Sequence, residues 1–201
     1  VRVRFRGSRL TNMIAEQGTA MVRTVSVRPG TAANIQIYAS NAAQFDRSQS
    51  TAYWGTNDVY EFIRARGLNN ARLSNMTVTV NKRQTCNAFY VNSTTNYFAA
   101  GGGCVNTAYR SVVYHEYGHF VDDVYGGVNR NDGMSEGTAD ILAMIIANDP
   151  IVGKDFRGAG RHIRDARNTL TYPAGGGVHQ QGMTWMGWFW DVNVNLTAKV
   201  G

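Results

Sequence analysis

His115-Glu116-Tyr117-Gly118-His119 is the stretch of this 201-residue sequence that decides most about its fold. Residues i and i+4 lie one above the other on a helix, so the two imidazoles of this HExxH pattern can bind one Zn²⁺ at about 2.0–2.1 Å each. Glu116 lies beside the first histidine, where its carboxylate can take a proton from a zinc-bound water without being a ligand. The chain has only four His and four Glu, so a chance match is improbable.

The residues around the motif predict a buried helix. Val112, Val113, Phe120 and Val121 flank it, and unpaired polar groups on a buried helix are costly. We predict that residue 106 or 107 caps this helix, which runs to residue 125 and stops at the two glycines that follow.

A catalytic zinc ion usually has three protein ligands and a water, so a third ligand must come from elsewhere in the chain. Glu136 is the best candidate, because it opens a second predicted helix, over 135–148. Asp140 lies one turn further along that helix, where its carboxylate could accept the spare N–H of a zinc-bound histidine. The other candidates are Asp122, Asp123, His162 and His179.

The rest of the chain predicts an α+β fold with a β-rich first half. The division we expect is a β-rich subdomain with one helix over 1–104 and a helical subdomain with the zinc site over 105–201. The further predicted strands are 1–6, 21–28, 34–38, 76–80, 88–92 and 97–100, and the further predicted helices are 51–66 and 178–192.

Composition excludes several classes of function. The net charge is +6, but the 17 Arg and three Lys are mostly scattered, without the basic stripe and interleaved aromatics of a nucleic-acid binder. No apolar run reaches 18 residues, so we expect no membrane span. No acidic cluster is dense enough to predict a calcium site.

Cys86 and Cys104 lie 18 positions apart and do not form a CxxC metal knuckle. They are either two buried thiols or one disulfide. The low Lys and Glu content and three Asn-x-Ser/Thr sites, at Asn75, Asn92 and Asn195, favour a secreted, extracellular protein with a disulfide. Because the chain starts at Val1, we expect that a targeting or pro-segment has been removed, or that flanking regions are missing.

Four motifs in order then resemble a known family. HEYGH at 115–119, followed by SEGTAD at 135–140, resembles the gluzincin metallopeptidases, above all the thermolysin and fungalysin families. Asn-Ala-Phe-Tyr at 87–90 is similar to the edge strand that holds the substrate backbone in those families. Gly-Val-His at 177–179 is similar to their oxyanion-stabilising segment, and an aromatic helix at 53–57 extends the resemblance to roughly residues 50 to 192.

The resemblance implies a thermolysin-like zinc endopeptidase that holds one Zn²⁺ and acts on peptide or protein substrates. It implies that the zinc ligands are His115, His119 and Glu136, with Glu116 as general base. The further roles it implies are an oxyanion donor at His179, support of a zinc ligand by Asp140, backbone binding by Asn87 and Ala88, and a substrate-carbonyl contact from Arg164, with Arg161 and Arg167 as rivals.

The sequence also departs from those families. His119 and Glu136 are only 17 positions apart, and the oxyanion tyrosine has no clear match, Tyr125 and Tyr172 being weak candidates. We also expect a reduced C-terminal lobe. Two alternatives therefore stay open: a structural or binding module that keeps zinc on a degenerate protease fold, and a gluzincin exopeptidase.

Overall fold

A computed structural model describes residues 1–7, 9–10, 12–37, 42–127, 131 and 133–200. These residues form short strands, four α-helices and one 3-10 helix over Ala71–Ser74. The strands are β1 (Arg2–Arg4), β2 (Asn12–Ala15), β3 (Val22–Thr24), β4 (Thr77–Lys82), β5 (Ala88–Val91), β6 (Thr94–Phe98), β7 (Ile151–Val152) and β8 (Arg164–Asp165). The helices are α1 (Gln44–Arg64), α2 (Arg110–Val124), α3 (Met134–Ala147) and α4 (Val178–Val200).

One mixed sheet organises the first half of the chain. Its strand order is β2-β4-β6-β5, with β2 and β6 parallel to the central β4 and with β5 antiparallel to β6. Strand β5 therefore ends the sheet, and among the described residues only β6 pairs with it. Its other edge carries backbone N–H and C=O groups that a further extended chain could pair with. Two small antiparallel pairs, β1-β3 and β7-β8, complete the strands of the described residues.

Helix α2 forms the centre of the core. Val113, Tyr114, Tyr117 and Phe120 are fully buried on it, and they pack with residues of the sheet, α1 and α3 in one continuous apolar cluster. Residues from both predicted subdomains contribute to this cluster, so α2 is packed from both sides. The division of the chain at residue 104 stays a prediction.

Two glycines let the site-bearing helices approach closely. A Cβ at Gly118, between the two histidines of α2, would lie 2.6 Å from the Cα of Ala139 on α3. A Cβ at Gly182 on α4 would lie 2.7 Å from the Cβ of Glu136. Both distances are shorter than real side chains tolerate, so only glycine allows α3 to lie this close to α2 and α4.

The α+β class and the disulfide are confirmed. Cys86 and Cys104 are bonded, with their Cα atoms 5.2 Å apart, and the bond joins the residue two before β5 to the loop after β6. No helix in the described ranges is long and apolar enough to cross a membrane.

Several boundaries differ from the predicted ones because polar side chains are buried. Helix α1 begins at Gln44, seven residues before the predicted start at residue 51. Its early turns bury Gln49, whose amide bonds the backbone of Thr19 and Met21, so apolar periodicity does not reveal them. Helix α2 begins at Arg110, because the Thr107 hydroxyl bonds the backbone of Phe98 and Asn87 and caps no helix.

The remaining differences lie within residues 12–37 and in the last helix. Strand β2 is not among the predicted strands. It has only four residues and is held by its parallel pairing to β4, which the local sequence pattern does not reveal. Residues 34–37 of the predicted strand 34–38 form no strand and none of them is buried, while residue 38 lies outside the described residues. Helix α4 runs to Val200, beyond the predicted end at residue 192.

Candidate metal centre

Three donor groups from α2 and α3 meet at one point. His115 and His119 project from the same face of α2, and their Nε2 atoms lie 3.2 Å apart. Glu136, in the first turn of α3, places one carboxylate oxygen 3.5 Å from the Nε2 of His115 and the other 3.6 Å from the Nε2 of His119. These three residues could hold a metal ion, as the sequence predicts.

The spacing fits a tetrahedral zinc site. Ligand atoms about 2.05 Å from a tetrahedral centre lie about 3.3 Å from one another. The two Nε2 atoms, 3.2 Å apart, are close to that edge length. Each of them also has a different oxygen of Glu136 nearby, Oε2 at 3.5 Å for His115 and Oε1 at 3.6 Å for His119. Two imidazoles and one carboxylate are also the donor set of catalytic zinc sites that leave a fourth position for water.

Asp140 holds His115 from behind. It is fully buried on α3, one turn after Glu136, and its Oδ1 accepts a hydrogen bond from the Nδ1 of His115 at 2.8 Å. That bond places the hydrogen of His115 on Nδ1 and turns Nε2 towards His119 and Glu136.

Arg164 is tied to the same carboxylates. It lies on β8 with only 7% of its surface exposed. Its Nη1 donates to Asp140 at 3.0 Å, and its Nη2 donates to Glu136 at 3.1 Å. Its rivals lie elsewhere, since Arg167 pairs with Asp165 at the surface and Arg161 is exposed.

The electrostatics of this cluster favour positive charge on His115 and disfavour it on His119. Burial lowers the pKa of His115, but the neighbouring Asp140 carboxylate outweighs it and raises the pKa to about 9. Burial, together with the His115 charge, lowers the pKa of His119 to about 3. Burial also acts to raise the pKa of Glu136, but its bond to His115 holds that pKa well below its usual range. A divalent metal ion that displaces the proton of His115 would therefore have two neutral imidazoles and a carboxylate as ligands.

Glu116 lies on α2 beside this cluster and is 95% buried. Burial is the largest cause of its shift and raises its pKa to about 7, although the charge of His115 opposes the change. A carboxyl group with a pKa near neutrality can both accept and return a proton at that pH.

The cluster opens into a cleft of about 620 Å³. Asn87 and Ala88, at the start of strand β5, line this cleft together with Glu116 and Arg164. The Thr107 hydroxyl donates to the Asn87 carbonyl at 3.0 Å and so fixes this end of the strand. The cleft also has an apolar part that the motifs did not predict, lined by Val112, Val152, Phe156 and Ile163.

His179 also lines the cleft, from the first turn of α4. Its Nε2 lies 3.4 Å from the Oε1 of Glu136, while 66% of its side chain is exposed. The imidazole is therefore next to the metal centre and within reach of a molecule in the cleft.

The other residues considered for this site lie away from it. Asp123 accepts a hydrogen bond from Tyr90, and Asp122 accepts one from Ser135 behind His119. His162 is exposed and outside the metal cluster of the described residues. Neither weak candidate for an oxyanion tyrosine lines the cleft within the described part of the chain: Tyr125 bonds the backbone of Asn70, and Tyr172 packs against Trp185.

Comparison with known proteins supports the fold. No protein-family model matches the sequence, and no curated protein matches it. Among solved structures, the precursor of protealysin, a metalloproteinase from Serratia proteamaculans, is similar to this chain with a TM-score of 0.61 and 16% sequence identity. The similarity covers 90% of this chain and 66% of that one, so this chain spans slightly less than two thirds of that protein's length. The likeness shows that the fold is shared with a metalloproteinase precursor.

Proposed function

We propose that this chain is a zinc-dependent endopeptidase of the gluzincin type, similar to the thermolysin and fungalysin families. The observation that carries the proposal is the close approach of the donor groups of His115, His119 and Glu136, 3.2 to 3.6 Å from one another. They lie in a cleft lined by the start of β5, the end strand of the sheet in the described part of the chain. The metalloproteinase fold supports it.

In this proposal one Zn²⁺ is held by the two imidazoles and the Glu136 carboxylate. When bound there, it lowers the pKa of a water molecule and polarises the carbonyl of the peptide bond to be cut. Glu116 takes the proton from the attacking water and passes it to the leaving amine. Its raised pKa, about 7, suits both transfers near neutral pH.

The substrate lies along β5 as an added strand. Ala88 begins that strand and Asn87 precedes it, so their backbone and amide groups can hold an extended peptide across the metal centre. His179 donates a hydrogen bond to the oxyanion that forms on the carbonyl, a contribution typically worth a few kcal/mol in the transition state.

Arg164 has two roles in the proposal. Its bonds to Asp140 and Glu136 hold the carboxylates of the metal centre in place. Because it lines the cleft, a remaining N–H of its guanidinium can also contact a substrate carbonyl.

We also propose that the protein is secreted. The Cys86–Cys104 bond supports this, because disulfides persist outside the reducing cytosol. Titration of free thiols in protein isolated from its natural source tests the proposal: two free thiols per chain would refute it.

The test of the proposed function compares wild-type protein with Glu116→Gln. Both are expected to bind one zinc per chain, while Glu116→Gln loses about 10²–10⁴-fold of the hydrolysis of a blocked, internally quenched peptide, the usual contribution of a general base. Glu61→Gln is the matched control, because Glu61 is an exposed residue of α1 paired with Arg9. Equal hydrolysis by Glu116→Gln and wild type would refute the mechanism. One zinc per chain without turnover of any peptide by wild type would favour the structural module.

A further inference from the structure

Ser135 has a different role from the helix cap that its position suggests. It lies in the first turn of α3 and is 6% exposed. The residue that precedes the helix as its cap is Gly133, in a left-handed conformation. The Ser135 side chain is directed across to α2, where it meets two residues of that helix.

The partners of Ser135 determine which group donates in each of its two hydrogen bonds. Its hydroxyl donates to the Oδ2 of Asp122 at 2.8 Å, and its Oγ lies 3.2 Å from the Nδ1 of His119. A hydroxyl has one proton, and an ionised carboxylate can only accept. The Ser135 hydroxyl therefore donates its proton to Asp122, and its Oγ accepts a hydrogen bond from the imidazole of His119. Nδ1 of His119 must then carry the hydrogen of that ring.

This arrangement determines which nitrogen of His119 is free. With the hydrogen on Nδ1, the Nε2 atom presents its lone pair to Glu136 and to the Nε2 of His115, 3.6 and 3.2 Å away. His115 receives the same orientation directly from Asp140, at 2.8 Å. The two zinc-site histidines are thus oriented from behind by different means, one by a carboxylate and the other through a hydroxyl.

We infer that Asp122 and Ser135 form a relay that positions His119 for zinc binding, with Asp122 orienting the Ser135 hydroxyl and the hydroxyl orienting the imidazole. The inference rests on the proposed function, because it assumes that His119 is a zinc ligand. It also gives Asp122 a role: the carboxylate considered above as a zinc ligand acts on the far side of the ring.

The relay predicts a graded loss of zinc affinity. Ser135→Ala removes the acceptor of the Nδ1 hydrogen, and loss of such a partner typically costs 10–100-fold in metal affinity. Asp122→Asn keeps the Ser135 hydroxyl but removes the carboxylate that directs it, so we expect a smaller loss. Since both act through one path, the double variant should bind zinc no more weakly than Ser135→Ala alone.

The experiment measures zinc dissociation constants by competition with a chromophoric chelator, alongside thermal unfolding of the metal-free proteins. Asp123→Asn is the matched control: it removes a charge from the same turn of α2, but its carboxylate bonds Tyr90 and Arg72. The control should bind zinc as wild type does. A purely structural role for Ser135 would lower the unfolding temperature without this pattern of affinities.

Each outcome decides the inference. If wild type binds zinc and cleaves peptide, but Ser135→Ala or Asp122→Asn binds zinc as tightly, only the relay is refuted. If the two losses add in the double variant, the residues act separately and the relay is also refuted. If Ser135→Ala does not fold, Asp122→Asn against Asp123→Asn decides. If wild type binds no zinc, the proposed function and the relay both fail.

Discussion

Replacing Asp140 by asparagine changes one buried charge and very little shape. Asp140 is fully buried, and its Oδ1 accepts from the Nδ1 of His115 at 2.8 Å and from the Nη1 of Arg164 at 3.0 Å. In the asparagine variant Oδ1 can still accept both hydrogen bonds, but it is then a neutral amide oxygen and no longer part of a charged carboxylate. The new NH₂ group takes the place of Oδ2. That oxygen is buried without a hydrogen-bond partner among the described residues, so the amide hydrogens would lack an acceptor.

The magnitude follows from these contacts. A hydrogen bond to a charged group contributes about 1.5–3 kcal/mol and a neutral one about 0.5–1.5, so weakening two bonds costs roughly 2–3 kcal/mol. Breaking a buried ion pair by removing one partner costs about 3–5 kcal/mol, which sets the upper limit. We therefore expect Asp140→Asn to lower the free energy of unfolding of the metal-free protein by about 3 kcal/mol at pH 7.

The assay is equilibrium denaturation in urea with excess chelator, followed by chelator competition for zinc. Asp191→Asn is the control, because Asp191 is exposed on α4 and should change stability by less than about 0.5 kcal/mol. Zinc affinity of Asp140→Asn should fall about 10–100-fold. If Asp140→Asn is as stable as Asp191→Asn and binds zinc like wild type, the reasoning about the buried carboxylate is refuted.

Three further predictions concern the scaffold. Gly118→Ala should lower the free energy of unfolding by about 1–3 kcal/mol and weaken zinc binding, because its methyl group meets the α3 backbone at 2.6 Å, whereas Gly175→Ala, in open space, should change neither. Glu16 has a lowered pKa because it accepts hydrogen bonds from the backbone N–H of Arg83 and from the side chain of Lys82. It therefore stabilises the fold above its unfolded pKa, and this stability is lost as pH falls through the folded value. Glu16→Gln should flatten the acid side of the stability curve measured by denaturation at stepped pH. Replacing Cys86 and Cys104 together by alanine opens a loop of 18 positions and should cost about 3 kcal/mol in urea unfolding.

The metal cluster could be predicted from the sequence because helix periodicity is local. His115 and His119 share a face for the same reason that Glu136 and Asp140 do, and the apolar flanks show that both helices are buried. The disulfide could be predicted from the cysteine count and composition, and it is confirmed.

The parts that sequence reasoning missed depend on contacts between distant segments. Strand β2 exists because of its parallel pairing with β4, and the early turns of α1 are held by buried polar bonds of Gln49. The sequence favours Arg164 over its neighbouring arginines only through the family resemblance, and only the fold shows that it reaches Asp140. The role of Ser135 is not visible in the sequence, because only the fold places its hydroxyl between Asp122 and His119.

The most direct test of the central claim is the structure of the zinc-loaded protein, with the metal located by anomalous scattering at the zinc edge. We predict one zinc ion per chain, bound by Nε2 of His115 and His119 at about 2.0–2.1 Å and by a Glu136 oxygen at about 2.0–2.2 Å, with the remaining position open to the cleft. Zinc bound at other residues, zinc fully enclosed by four protein ligands, or no zinc at all would contradict the account.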